Sequence, residues 1–122
     1  MTTSVERRAP GSVVAELLAS FDQATDPREI ETVADQLGAA GNPRAIRPLL
    51  MRLGDWQVQG DADVEDAVCQ ALVALGVMRS SGNLSFAFVP RHLLEAEVVE
   101  TVRELGPAIP MRYLLTSDEW TW

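Results

Sequence analysis

The stretch NPRAIRPLLMRLGD, residues 42–55, decides the fold, because it joins a helix start, an apolar stripe and a helix stop. Asn42 is a favourable N-cap, and Pro43 suits the first helical position, where no backbone N–H is needed. The apolar residues recur at helical spacing and predict one buried face: Ile46, Leu49, Leu50 and Leu53. Gly54 ends the pattern, and Pro48 in the second turn predicts a kinked helix.

Two helices are predicted on the N-terminal side of this stretch. Ser12 is a favourable N-cap, and the apolar spacing that follows predicts a helix over about residues 12–24. The Asp-Pro pair at residues 26–27 repeats the start signal and opens a second helix. Gly38 and Gly41 are expected to end that helix, because glycine accepts the left-handed conformation that closes helices.

The C-terminal side shows two more helical patterns with a different segment between them. The acidic start DADVED at residues 61–66 suits a helix N-terminus and leads into a helix that ends at Gly76. A Ser-Gly-Asn turn and the alternating LSFAFV within residues 77–91 favour a short β-hairpin or an ordered loop. Helical spacing resumes over residues 93–105 and stops at Gly106.

An internal repeat relates two of these helices. A shift of 38 residues superposes three pairs: Ile30 on Val68, Leu37 on Leu75 and Gly38 on Gly76. A period of this size is typical of stacked helical hairpins, which bury their apolar faces only against their neighbours. The predicted fold is therefore an all-α stack of helical-hairpin repeats, an α-solenoid, with a small β-hairpin insertion at about residues 77–90.

The composition is that of an ordinary acidic globular domain. The 122 residues are 47% hydrophobic and 23% charged, and 18 acidic against 10 basic residues give a net charge of -8. That charge repels phosphate backbones and anionic lipid, so neither nucleic acid nor membrane is an expected partner. All basic residues are arginine, which excludes chemistry that needs a lysine amine. A single cysteine and the absence of a signal peptide or membrane span favour a cytoplasmic protein.

Three regions are expected along the chain. Residues 1–11 are polar, lack periodicity and are predicted to be a mobile leader. Residues 12–106 hold the repeat domain. Residues 107–122 form a C-terminal tail that caps the stack or contacts a partner.

The residues NPRAIRPLLMRLGD and DADVEDAVCQALVALG resemble HEAT-like repeats of the phycobilisome-lyase type, over about residues 12–76. The resemblance implies that residues 42–55 are the second helix of a hairpin, with Arg44, Arg47 and Met51 on its inner, binding face. Proteins of this type mostly act as bacterial interaction scaffolds, and a minority are lyases that attach bilin chromophores.

Two sets of side chains are candidates for partner binding. Arg44 and Arg47 lie one turn apart and would present planar donors to the carboxylates of a partner, unless they simply form a solvated face. Trp120 and Trp122 are candidate aromatic anchors, and packing back onto the protein is an equally good interpretation. Trp56, in a loop, is interpreted as a plug over the end of the core.

Catalysis, metals and cofactors find little support in the sequence. Cys69 and His92 would form a thiolate pair or a metal site only if they met, and Cys69 is better interpreted as a buried helix residue. DADVED resembles the start of an EF-hand loop, but Asp66 stands where glycine is needed and Leu72 where glutamate is needed. No catalytic residue, metal or cofactor is therefore assigned.

The sequence favours a non-catalytic protein–protein interaction module, a small adaptor or regulatory scaffold. The expected partner is another protein, with a second copy of the chain as a further candidate. Two alternatives stay open: an acidic, immunity-type or inhibitory protein that covers a basic effector, and an enzyme similar to chromophore lyases.

Overall fold

The computed structural model describes residues 10–55, 60–80 and 86–106, with side chains from Val13 onward. Its helices are α1 (Pro10–Gln23), α2 (Pro27–Ala40), α3 (Ile46–Leu53), α4 (Ala62–Ala74) and α5 (Ala96–Leu105). Short 3-10 turns cover Pro43–Ala45 and Arg91–Leu93, and two strands, β1 (Met78–Ser80) and β2 (Phe86–Phe88), lie before α5. The described part is thus mostly helical with a small two-stranded antiparallel sheet, as predicted for the fold class.

The predicted start signals act as helix caps. The Asp26 carboxylate accepts from the N–H of Arg28 at 3.3 Å, and the Asn42 side chain accepts from the N–H of Arg44 at 2.9 Å. Asp61 accepts two backbone N–H groups in the same way at the start of α4. Each acceptor satisfies a donor that has no partner within the helix. The first helix differs from the prediction, because α1 begins at Pro10 and Ser12 lies inside it.

The helix ends do not follow the predicted shift of 38 residues. Gly41 after α2 and Gly76 after α4 are both left-handed, with φ of 67° and 84°. Gly38 lies inside α2, so its expected role as a helix end is wrong. The N-caps Asp26 and Asp61 are 35 residues apart, and so are Gly41 and Gly76. The shift of 38 therefore pairs Gly38 with Gly76, two glycines of different conformation.

The stretch at residues 42–55 is not the single kinked helix that was predicted. A 3-10 turn covers Pro43–Ala45, and α3 begins at Ile46. Pro48 is the third residue of α3, in the first turn, where its missing N–H removes little hydrogen bonding. The predicted buried face of α3 is confirmed, since Ile46, Leu49, Leu50 and Leu53 are all buried.

The helix contacts do not simply follow the order of the chain. Helix α2 packs most extensively on α4 and also on α1, whereas α3 packs on α4, α5 and α1. Helix α3 pairs with α4 rather than with α2, which corrects the expectation that residues 42–55 are the second helix of a hairpin begun by α2.

One apolar core joins the helices and the hairpin. Its fully buried members include Phe21, Leu37, Leu50, Leu72 and Phe88. At the crossing of α2 and α4, a Cβ added to Gly38 would lie 3.0 Å from the Cα of Ala71. Small residues at this point let the two helix backbones approach closely.

The predicted β-hairpin is confirmed within the predicted range. Met78 pairs with Phe88 and Ser80 with Phe86 in an antiparallel register, and the N–H of Val89 donates to the carbonyl of Val77 at 2.9 Å. The buried side chains of Val77, Met78, Phe86 and Phe88 belong to the same core as the helices. The hairpin therefore closes the end of the core next to α4.

Candidate protein-interaction site

Helix α3 presents a polar outer side opposite its buried face. Arg44 in the preceding turn, and Arg47 and Met51 in α3, are all exposed. Met51 is 54% exposed, and it is one of three large apolar side chains that are exposed in the described ranges. The sequence prediction that these three residues share an accessible surface is consistent with this placement.

Arg47 does not present a free guanidinium as expected. Its Nη1 lies 2.9 Å from Oε1 of Glu104, which joins α3 to α5. The two side chains are 48% and 62% exposed, so water screens the pair and its contribution to stability is below about 1 kcal/mol. The bond orients Arg47 but leaves it exchangeable with another carboxylate.

Arg44 borders a groove between α3 and α5. The groove has a volume of about 240 Å³ and is lined by Arg44 and Arg47 on one side and by Glu95, Glu97 and Thr101 on the other. No described carboxylate lies within ion-pair distance of Arg44. The two arginines of the predicted pair therefore differ. Arg47 forms an ion pair with Glu104, whereas Arg44 forms none with a described residue.

A second groove lies between α1 and α3. It has a volume of about 410 Å³, and Leu18, Phe21, Pro48 and Met51 give it an apolar lining. Asp22, Asp55, Arg47 and Arg52 complete its lining. Arg47 lines both grooves, so it lies between them.

Arg52 is a structural residue that the sequence reasoning missed. Its Nη2 donates to the backbone carbonyls of Phe21 at 2.6 Å and Ala24 at 3.0 Å, which satisfies acceptors at the end of α1. The guanidinium also lies 5.3 Å from the centre of the Phe21 ring and 3.6 Å from Asp55. Only the Arg-x-x-Asp spacing to Asp55 hints at this in the sequence, since the carbonyls are far away along the chain.

Cys69 and His92 lie in different environments. Cys69 is fully buried within α4, as the sequence indicated, so its thiol has no access to solvent. His92 is exposed in the 3-10 turn before α5. A bilin or substrate would reach this thiol only if the core opened. The aromatic candidates Trp120 and Trp122, and the interpreted plug Trp56, lie outside the described residues.

The described residues carry no signature of a metal site or of a membrane span. Within the described ranges, no group of three or more His, Cys, Asp or Glu is arranged to hold a metal ion. None of the described helices combines the length and the apolar character that crossing a membrane requires. Comparisons of the chain with known protein families, with curated proteins and with solved structures found no match.

Proposed function

We propose that this protein is a non-catalytic protein–protein interaction module that presents the outer side of α3 to a partner protein. The observation that carries the proposal is the placement of Arg44, Arg47 and Met51 on one exposed side, between two grooves. Interfaces favour arginine and methionine, since a guanidinium binds carboxylates in a planar geometry and methionine adapts its shape to a partner.

The scaffold is proposed to be a short HEAT-like stack. The packing of α2 on α4, the packing of α3 on α4, and the 35-residue spacing of Asp caps and left-handed glycines support it. A stack of this kind holds its helices rigidly, so a side chain on α3 loses little further freedom when a partner binds. The β-hairpin between α4 and α5 is an insertion in that stack.

The polar and apolar parts of this surface have different roles in the proposal. Met51 and the apolar lining of the α1–α3 groove supply area that a partner removes from water. Arg44 supplies a charged donor that orients the partner, and Arg47 exchanges Glu104 for a partner carboxylate at small cost. Residues Trp120 and Trp122 are proposed to add aromatic contacts to the same partner.

The test is affinity capture from lysate of the source organism, read by mass spectrometry. The wild-type chain is compared with an Arg44→Glu, Arg47→Glu double variant. We expect at least one protein to be retained by the wild type and lost by the variant. Retention by both would show that the α3 surface is not the binding face.

A charge-matched control is available on the same chain. Arg28 and Arg79 are exposed residues on α2 and β1, away from α3. Their joint replacement by Glu changes the net charge by the same amount as the test variant. If this control also loses the partner, the loss reflects overall charge and the assignment to Arg44 and Arg47 is wrong.

An acidic inhibitory or immunity-type protein is the second candidate. The net charge of -8 and the exposed acids Glu95, Glu97, Glu100 and Glu104 along α5 favour it. A basic effector would be attracted over distances of about one Debye length, near 10 Å at moderate salt. Its association rate would then fall steeply with added salt, whereas contact centred on Met51 would change little.

A further inference from the structure

The groove between α3 and α5 has walls of opposite charge. Arg44 lies on one wall, and Glu95 and Glu97 lie on the other. Its apolar lining comes from Ile46, which is buried, and Val98, which is half-buried. Such a groove favours a ligand that carries both a negative and a positive group. The negative group would face the arginine, and the positive group would face the glutamates.

The charges on both walls are available. Some exposed charges in the described ranges pair along one helix, as in Arg28 with Glu31 and Arg103 with Glu100, and Arg47 pairs with Glu104 between two helices. Arg44, Glu95 and Glu97 show no ion pair with any described residue. The dipole at the start of α5 accounts for the two acids, but it disfavours a cation nearby and does not account for Arg44.

The charged groove continues into an apolar one. A neighbouring groove of about 180 Å³ shares Pro43, Ile46, Glu95 and Val98 with it and extends to Leu93 and Leu94. Leu93 is 67% exposed, the highest value among the large apolar side chains described. The two grooves together form a composite groove, charged at the Arg44 end and apolar at the Leu93 end.

We propose that this composite groove binds an extended segment of a partner protein that carries one acidic, one basic and one apolar side chain. The acid faces Arg44, the base faces Glu95 and Glu97, and the apolar side chain covers Leu93. The inference rests on the proposed function and names the chemistry of its partner. The acids of the groove repel nucleic acid phosphates.

The test uses a displayed library of short random peptides selected on the immobilised full chain. We expect the enriched peptides to contain an acidic, a basic and an apolar residue in a consistent order. The strongest peptide is labelled, and its affinity is measured by fluorescence anisotropy. Either Arg44→Glu or Glu97→Arg is expected to weaken it by about tenfold or more, because each places like charges in contact.

The charge-exchanged double variant Arg44→Glu, Glu97→Arg provides the sharpest measurement. A version of the peptide with its acid and base exchanged should bind this variant and fail to bind the wild type. Arg28→Glu, which makes the same charge change on α2, should alter affinity less than about twofold. Circular dichroism of each variant verifies folding, which exposed residues are expected to preserve.

Three results would overturn the inference. One is a library that enriches no peptide, or only peptides of a single charge sign. Another is an enriched peptide whose affinity does not respond to either charge reversal. The third is a dimer in sedimentation that dissociates on Arg44→Glu, which would assign the groove to a second copy of the chain. Lysate capture that still depends on Arg44 and Arg47 would leave the proposed function standing in each case.

Discussion

Two helix pairs in the same protein, α2–α4 and α3–α5, are in contact through different kinds of residues. At the α2–α4 crossing, Gly38 faces Ala71 so closely that a methyl group would be crowded. Between α3 and α5, the exposed Arg47–Glu104 ion pair spans the gap and grooves remain beside it. The small residues allow the backbones of α2 and α4 to approach closely. The charged residues leave a groove between α3 and α5 that solvent can enter.

The buried and the exposed residues of these pairs contribute differently to stability. Leu37 in α2 and Leu72 in α4 are fully buried, and so is Leu50 in α3, whereas Val98 in α5 is only half-buried. Apolar area removed from water contributes about 25 cal/mol per Å², so Val98 stabilises the fold less than these leucines. The exposed charges between α3 and α5 contribute little to folding, and in the proposed function they contact the partner.

The largest effect is expected from Leu37→Ala in α2. Removing a fully buried leucine loses its transfer free energy and leaves a cavity, which costs about 2–5 kcal/mol. Val98→Ala in α5 is the control and should cost less than about 1.5 kcal/mol, because that side chain is already partly exposed to water. Urea unfolding followed by circular dichroism measures both. Equal losses would contradict the contrast between the two pairs.

The second-largest loss of stability is expected from crowding the crossing of α2 and α4. Gly38→Val places two methyl groups against the backbone of Ala71 and is expected to lower the free energy of unfolding by up to about 3 kcal/mol. Ala39→Val is the matched control, since Ala39 is the next residue of α2 and is exposed. Ala39→Val carries a β-branched penalty of a few tenths of a kcal/mol without the contact, whereas Gly38→Val loses no helix propensity because glycine is the poorer helix former. A similar loss in both variants would show that the close approach is unimportant.

Local signals in the sequence predicted the elements well. Asp26 and Asn42 were identified as caps because their side chains accept a nearby N–H, and both do so. The buried face of α3 followed from its helical spacing. The hairpin followed from a turn signal beside an alternating run. Each of these depends on residues only a few positions apart, which is why a single sequence was sufficient.

Long-range relations were not predictable in the same way. Glu104 lies 57 residues from Arg47, and no local pattern couples them. The pairing of α3 with α4 rather than α2 depends on how the apolar faces fit together in three dimensions. Gly38 was assigned to a helix end because glycine has two uses, and sequence spacing does not distinguish a left-handed turn from a close helix contact.

The contact between α1 and α3 is expected to contribute an intermediate amount to stability. Substituting Arg52 tests this contribution. Arg52→Met keeps most of the apolar stem but removes two hydrogen bonds to the end of α1. We expect a loss of about 1–2 kcal/mol, because the carbonyls of Phe21 and Ala24 are left to water alone. Arg28→Met, at an exposed pair on α2, should cost less than about 0.5 kcal/mol. Amide exchange should also quicken at the end of α1 if the bonds hold it.

The smallest effect on stability is expected at Arg47 and Glu104, the ion pair between α3 and α5. In the proposed function, Arg47 exchanges this partner for a carboxylate of another protein. A double-mutant cycle with Arg47→Gln and Glu104→Gln should give a coupling below about 1 kcal/mol, since both side chains are exposed. The coupling should shrink further at high salt, where a screened pair weakens. A coupling of several kcal/mol would mean that the pair holds α5 in place. Arg47 would then be too costly to exchange, and Arg44 would remain as the only described arginine of this site available to a partner carboxylate.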